Sequence, residues 1–338
     1  MSFPPVRGLA RLPWRWIAHV SLAVTVVLFA LALPQLADGD WSDLRTSALH
    51  HGWVLVWLLA LSYLARSRSL LNVLGAAMGG FFTAMWISLT VGGRTAEWLG
   101  AYDPWQLSFA VPVIEEVAKV VPLLIVILAW RGRPDGSPGA VDLAILGVAS
   151  GAGFAFHEDA LWSRVSGSGF DTPLGWVLPT AHTDAGIVAG HAGWTGMVGL
   201  ALGIWVVNRR RRWTALLPVA ALALAIADHG LWNDPVLRGD WRAVLLDGWL
   251  PVVLFLVGTA VALVIETRRV HRATGGATTR LARNLPRLLV RSWSPWNLVL
   301  RIVRGTGIIR LSAMTAHQLA WLESGPRGAR PATQEVRS

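Results

Sequence analysis

Val111-Pro-Val-Ile-Glu-Glu-Val-Ala-Lys-Val-Val121 sets two adjacent glutamates and a lysine inside a run that otherwise belongs in oil. The rest of the chain says which solvent surrounds that run. Of 338 residues, 54% are hydrophobic and only 15% charged, and the mean hydropathy is +0.48, more apolar than a water-soluble domain needs. The composition is that of a membrane protein. Cysteine is absent, which excludes disulfides, thiolate nucleophiles and Cys-ligated zinc. Tryptophan is abundant, and Trp14, Trp16, Trp53, Trp130, Trp162 and Trp249 sit at the ends of apolar runs, as rings anchored at headgroup level do.

A hydrocarbon layer roughly 30 Å thick takes about 20 apolar residues as helix. That length predicts an all-α, polytopic transmembrane bundle of about eight spans, near 17 to 34, 48 to 65, 70 to 92, 107 to 130, 140 to 162, 186 to 207, 213 to 234 and 245 to 265. Cytoplasmic loops retain Arg. The N-terminus, the Arg66/Arg68 turn, the Arg131/Arg133 loop, the run Arg209 to Arg212 and the C-terminal tail fall on one side. The alternate loops carry Asp38, Asp40, Asp43, Glu97, Asp103, Asp171 and Asp184. Both termini are therefore expected in the cytoplasm. From Glu266 onward there are 13 Arg and 3 Glu, so the net charge of +10 belongs to the tail. Three regions follow: two N-terminal spans in 1–69, a membrane core in 70–265 and an Arg-rich tail in 266–338. The mixture of Arg, Leu and Trp from Leu281 to Trp296 suits either a segment lying on anionic lipid headgroups or a loosely ordered basic extension. The last residues, Ser324 to Ser338, read as disordered.

An ionisable residue within a membrane helix costs about 2.5 to 3.5 kcal/mol on insertion scales, so each needs a partner or a purpose. The set is Glu115, Glu116 and Lys119 in the fourth span, His157, Glu158 and Asp159 in the fifth, His191 in the sixth, and Asp228, His229 and Asn233 in the seventh. Asp142 lies near a cytoplasmic end, where it is expected to be solvated. Asp228, with His182 and Asp184 in the loop before the sixth span, reads as solvated rim; His182 is a minor candidate ligand. The expected orientation puts the polar groups of all four helices in the same outer layer, which favours one shared site. Lys119 is the only lysine in the chain and stands three and four residues after the glutamates, within reach of either. His229 and Asn233, four apart, share a helix face. Glycines at 147, 151 and 153, and at 186, 190, 193, 196, 199 and 203, allow close helix approach. Pro112 and Pro122 bracket the glutamate pair and are expected to loosen or kink that helix.

Together these segments resemble the PrsW family of intramembrane proteases, distant relatives of the CAAX-processing and bacteriocin-processing membrane proteases. The likeness rests on Glu115-Glu116-Val-Ala-Lys119, Gly153-Phe-Ala-Phe-His-Glu158, Gly190-His-Ala-Gly-Trp-Thr195 and His229-Gly-Leu-Trp-Asn233, four short motifs in order on consecutive spans from about residue 70 to 265. Asp159 departs from the pattern, where Asn is expected, and His157 is an additional ionisable group. Such a resemblance implies hydrolysis of a peptide bond in a membrane-anchored protein, most simply a single-span regulatory protein cut near the outer leaflet, in a bacterial cell membrane. It implies that Glu115 or Glu116 takes a proton from water, that His191 and His229 orient that water or carry the proton, and that Asn233 donates to the oxyanion. Glu158 would hold a histidine tautomer, with Lys119, His157 and Asp159 in support. The family is often labelled metalloprotease. Zinc held by Glu116, Glu158, His191 and His229 is one expectation, and metal-free glutamate catalysis is preferred, because His157-Glu-Asp-Ala-Leu161 does not complete a His-Glu-x-x-His motif.

Two other classes compete. Acid and histidine chains in a bundle also mark proton- or ion-coupled transporters, and a non-catalytic scaffold would need only a surface for a partner helix. The lack of an inverted repeat and the confinement of polar groups to one leaflet count against a transporter. Retention of all four motifs counts against a scaffold. The expected partners are membrane lipid and a membrane-anchored substrate, with no nucleic acid.

Overall fold

Small residues at four-residue intervals decide which helices meet. A Cβ added at Gly147 or Gly151 would collide with the carbonyls of Thr195 and His191, and one at Gly199 or Gly203 with the backbone of Leu143 and Ala140. The two helices therefore run antiparallel, backbone against backbone, in the packing that small-residue repeats permit. The computed structural model describes residues 41–99, 106–130, 138–162, 181–183, 186–208, 211–234, 241–277, 279–280, 283–284 and 307–317.

In chain order the elements are α1 (Trp41–Leu61), α2 (Leu70–Leu99), α3 (Val111–Trp130), α4 (Ala140–Trp162), strands β1 (Ala181–Thr183) and β2 (Gly186–Val188), α5 (Gly190–Val207), α6 (Leu216–Asn233), α7 (Trp249–Ala273) and α8 (307–317). The α4/α5 pair forms the axis. The membrane-length window of α4 is 83% buried, against 33% for those of α6 and α7, so the latter form the perimeter. Leu143, Ile145, Leu146, Trp194 and Phe255 lie at the core, while Leu216, Val219, Val253, Val257 and Val261 present apolar surface outward. In water that exposure would be costly; in hydrocarbon it is free.

α2 is interrupted by a π-helical turn at Gly79–Ala84. There Gly80 meets the Ser150 carbonyl of α4, and Gly79 meets Pro122 of α3. α3 continues from Val111 to Trp130 through Pro122. The sixth span, expected from 186, begins as a helix only at Gly190. Gly186 (φ +95°) and Gly190 (φ +65°) turn the chain, and 186–188 pairs antiparallel with 181–183 instead.

Five described helices are long and apolar enough to cross a membrane: Leu70–Leu99, Ala140–Ala160, Gly190–Val207, Arg212–Asn233 and Arg242–Ala273, the last two including their 3-10 lead-ins. The chain is an all-α integral membrane bundle, with one short hairpin among the described residues. α1 and α3 have the length, 21 and 20 residues, but α1 carries His50 and His51 and α3 carries Glu115, Glu116 and Lys119. The span expected near 17 to 34 and most of Leu281 to Trp296 lie outside the described residues.

Asp142 is not solvated. It is 1% exposed and accepts from Ser67 N (2.8 Å), Ser67 Oγ (2.5 Å), Arg68 N (3.0 Å) and Gly139 N (2.9 Å). Its position in the first turn of α4 turns it inward, where it meets the α1–α2 connection. Glu266 of α7 is also buried and accepts from Ala140 N and Val141 N, at 2.5 and 3.1 Å. The two carboxylates satisfy N–H groups that the start of any helix leaves without partners. α8 packs here as well, with Ala313 and Ala316 against Val270 and His317 Nε2 bonded to the Ala65 carbonyl at 2.8 Å.

Candidate active site

α3 places Glu116 and Lys119 one turn apart, and Lys119 Nζ donates to Glu116 Oε1 at 2.6 Å. Both are buried, Lys119 at 0% exposure and Glu116 at 1%. Lys119 also contacts His191 Nδ1 at 2.5 Å and lies 4.6 Å above the Phe154 ring. Because an amino group donates, His191 Nδ1 accepts, which leaves the ring proton on Nε2. That nitrogen donates to Glu158 Oε2 at 2.6 Å. The antiparallel α4/α5 register makes this contact possible, since it sets the end of α4 beside the start of α5.

From α6, His229 Nδ1 bonds the same Glu116 Oε1 at 2.9 Å. A carboxylate accepts, so Nδ1 carries the proton and Nε2 keeps its lone pair. Nε2 lies 3.9 Å from Glu115 Oε2. Glu115 contrasts with its neighbour: its side chain is 12% exposed and its Oε1 has only a long contact of 3.5 Å from Ser88 Oγ, while Oε2 of each glutamate is buried without a hydrogen-bond partner. The two histidine rings meet edge to face at 5.1 Å, and Trp194 lies flat on His229 at 4.6 Å with an interplanar angle of 18°.

The structure thus brings together Glu115, Glu116, Lys119, Glu158, His191 and His229. Asn233 stands one turn beyond His229 at the end of α6, and joins none of these contacts among the described residues. His157 points elsewhere: its Nδ1 contacts the Phe81 carbonyl at 2.5 Å and its ring lies 4.4 Å from that of Phe81. Asp159 faces α1, accepting from Ser47 Oγ at 2.6 Å and lying 3.5 Å from His51 Nε2. Neighbours in sequence on a helix diverge by about 100°, which is why three consecutive ionisable residues serve three different helices.

Asp228 is not a rim residue. It is 0% exposed, accepts from Trp194 Nε1 at 2.8 Å and pairs with Arg242 at 3.3 Å. Sequence reading missed Trp194 and Arg242. A tryptophan three residues after His191 was a usable signal, being the next turn of the same face; Arg242, in an irregular turn, offered none. The backbone of His182 lies in β1, and Asp184 is outside the described residues.

Residues 67–265, more than half of the chain, match the family described as PrsW family intramembrane metalloprotease. The chain belongs to that family. It is accordingly an intramembrane protease, a hydrolase that works in a lipid environment on membrane proteins. Neither a curated protein nor a solved structure matches the chain. The four motifs that carry the resemblance all fall within the matched residues.

The family description raises the question of a metal. Among the described residues one group has metal-ligating spacing, Glu115, His191 and His229, with one ligand atom from each lying within 4.8 Å of the others. Two of the three donors fit, since Glu115 Oε2 is unbonded and His229 Nε2 holds a lone pair, whereas both His191 nitrogens are engaged, by Lys119 and by Glu158. This PrsW chain gathers Glu115, where the sequence reading named Glu116 and Glu158.

Proposed function

We propose that this PrsW-family protease activates water between Glu115 and His229. The observation that carries the reading is the unbonded Glu115 Oε2 facing His229 Nε2 across 3.9 Å. Both atoms are acceptors, so one water can donate a proton to each and present its oxygen lone pair to a peptide carbonyl. Glu115 takes the proton as the oxygen–carbon bond forms. It then returns the proton to the departing amide nitrogen as the carbon–nitrogen bond breaks.

Glu116 serves instead as the fixed centre. Its Oε1 is already shared by Lys119 and His229, so it orients the imidazole rather than the water. Glu158, accepting at Nε2, and Lys119, donating at Nδ1, together hold His191 in the Nε2–H tautomer. Asn233 reaches the carbonyl oxygen once a substrate chain lies along the end of α6, and donates to the developing oxyanion. Glu115 and His229 would hold a metal, with His191 joining them only on giving up its bond to Lys119 or Glu158, and the metal would polarise a carbonyl and acidify water.

The chain's topology in this reading is eight spans with both termini cytoplasmic, in a bacterial cell membrane, with the site toward the outer leaflet and the basic tail against anionic headgroups. The substrate is a membrane-anchored, single-span regulatory protein. The test is a comparison of membrane proteomes from cells carrying the wild-type chain and the Glu115→Gln variant: a single-span protein should persist uncut in the variant. An unchanged set of single-span proteins, with the variant folded and expressed equally, overturns the reading. Metal analysis of purified chain with and without His229→Ala decides whether the three-residue group is occupied.

A further inference from the structure

Trp194 touches both histidines, lying flat on His229 and edge-on to His191 at 5.4 Å. It is itself held from behind. Its Nε1 donates to Asp228 Oδ2 at 2.8 Å, and Asp228 Oδ1 takes Arg242 Nη2 at 3.3 Å. Arg242 donates in turn to the Ile187 carbonyl of β2 and stacks 4.9 Å over Trp232. Trp194, Asp228 and Arg242 are all at 2% exposure or less.

The backbone around Arg242 is shaped for this contact. Leu246, Asp247 and Gly248 all have positive φ, at 54°, 53° and 85°, a conformation that non-glycine residues hold only when their surroundings over-determine it. At Gly248 any Cβ would meet both Arg242 Nη2 and the Ile187 carbonyl. A buried Asp–Arg pair is weak stabilisation compared with an apolar replacement of equal volume. A geometric role accounts for placing such a pair beside the site.

We infer that Arg242, Asp228 and Trp194 form a positioning relay that sets the plane of the His229 imidazole and ties it to the β-hairpin. Ile187 lies four residues before His191, so one hairpin backbone governs both histidines, directly along α5 and through the relay to α6. The value of the relay to catalysis rests on the reading that His229 addresses the reacting water. None of the three touches the reacting atoms: they act through the ring.

The test needs no substrate. Full-length chain in detergent micelles is treated with diethylpyrocarbonate, and modification of His229 is followed by peptide mass mapping, with exposed His271 as internal reference. Wild type is compared with Trp194→Phe, Asp228→Asn and the double variant, each checked by thermal unfolding. Loss of a held aromatic contact should raise the His229 rate about tenfold in either single variant. In the double variant the rate should rise no further, because both changes cut the same chain. Unchanged rates in folded variants, or a rise that multiplies to about a hundredfold in the double, overturn the relay, since a tryptophan that merely fills space gives independent effects. Should Asp228→Asn not fold, Asp228→Asn combined with Arg242→Gln, which leaves no buried unpaired charge, replaces it. Failure of this test leaves the proteolytic reading standing, and failure to find a cleaved protein leaves this test unaffected.

Discussion

Two buried clusters of carboxylate and histidine occupy opposite ends of α4, and they differ in how completely their carboxylate oxygens are used. At the amino end, both Asp142 oxygens accept, from four donors, and both Glu266 oxygens accept from the first N–H groups of α4. At the carboxyl end, Glu115 Oε2 and Glu116 Oε2 are buried with no hydrogen-bond partner. Satisfied buried polar groups rigidify a fold, and unsatisfied ones cost it free energy. The first cluster is architecture. The second leaves capacity unspent, as a site that must bind water and substrate does.

The sharpest way to break this contrast is to neutralise one carboxylate at each end. Glu115→Gln should lower proteolysis of the stabilised single-span protein by about 10²- to 10⁴-fold, the range that a general base supplies. Its melting temperature should barely move, since it loses only the 3.5 Å contact with Ser88. A loss of stability comparable to the loss of rate would place Glu115 with the architectural cluster. Asp142→Ala should do the reverse. Stranding four donors at about 1–3 kcal/mol each costs at least about 4 kcal/mol of stability, measured by denaturant unfolding in micelles. Turnover per folded molecule should stay the same, and a selective loss of turnover would join the two ends functionally.

A smaller change tests the axis between them. Gly151→Ala puts a methyl group against the His191 carbonyl, and overpacking of this kind costs about 1–3 kcal/mol. Because the α4/α5 register sets the Glu158–His191 bond, cleavage should fall along with stability, and a fully active, equally stable variant would show that this close approach is dispensable. The smallest effect belongs to His157→Ala. It removes one hydrogen bond to the Phe81 carbonyl, worth about 1 kcal/mol, and cleavage per folded molecule should remain within about threefold of wild type. A collapse of activity would move His157 into the site despite its contacts.

Local spacing made much of the site legible. Glu116 and Lys119 are one helical turn apart, and such a pair meets wherever the helix goes. The three-residue order at 157–159 shows the limit of that reasoning. The sequence placed all three in one outer layer, but helix geometry sends Glu158 to His191, Asp159 to α1 and His157 to the π turn of α2. Asp142 and Asp228 were misread for a related reason. Their partners lie in Ser67 and Arg242, outside any local window, so proximity to a span end looked like access to solvent.

Apolar length and the four polar motifs were enough, without coordinates, to point to a helical membrane protein and a candidate carboxylate–histidine site, because hydrocarbon forces each segment to satisfy its own backbone and makes every intramembrane charge conspicuous. Which glutamate is held by Lys119 and His229, and which stands open opposite His229 Nε2, was decided by tertiary structure. Glu115 and Glu116 are chemically identical neighbours, and only the packing of α3 against α5 and α6 directs Lys119 and His229 onto one of them and leaves the other open.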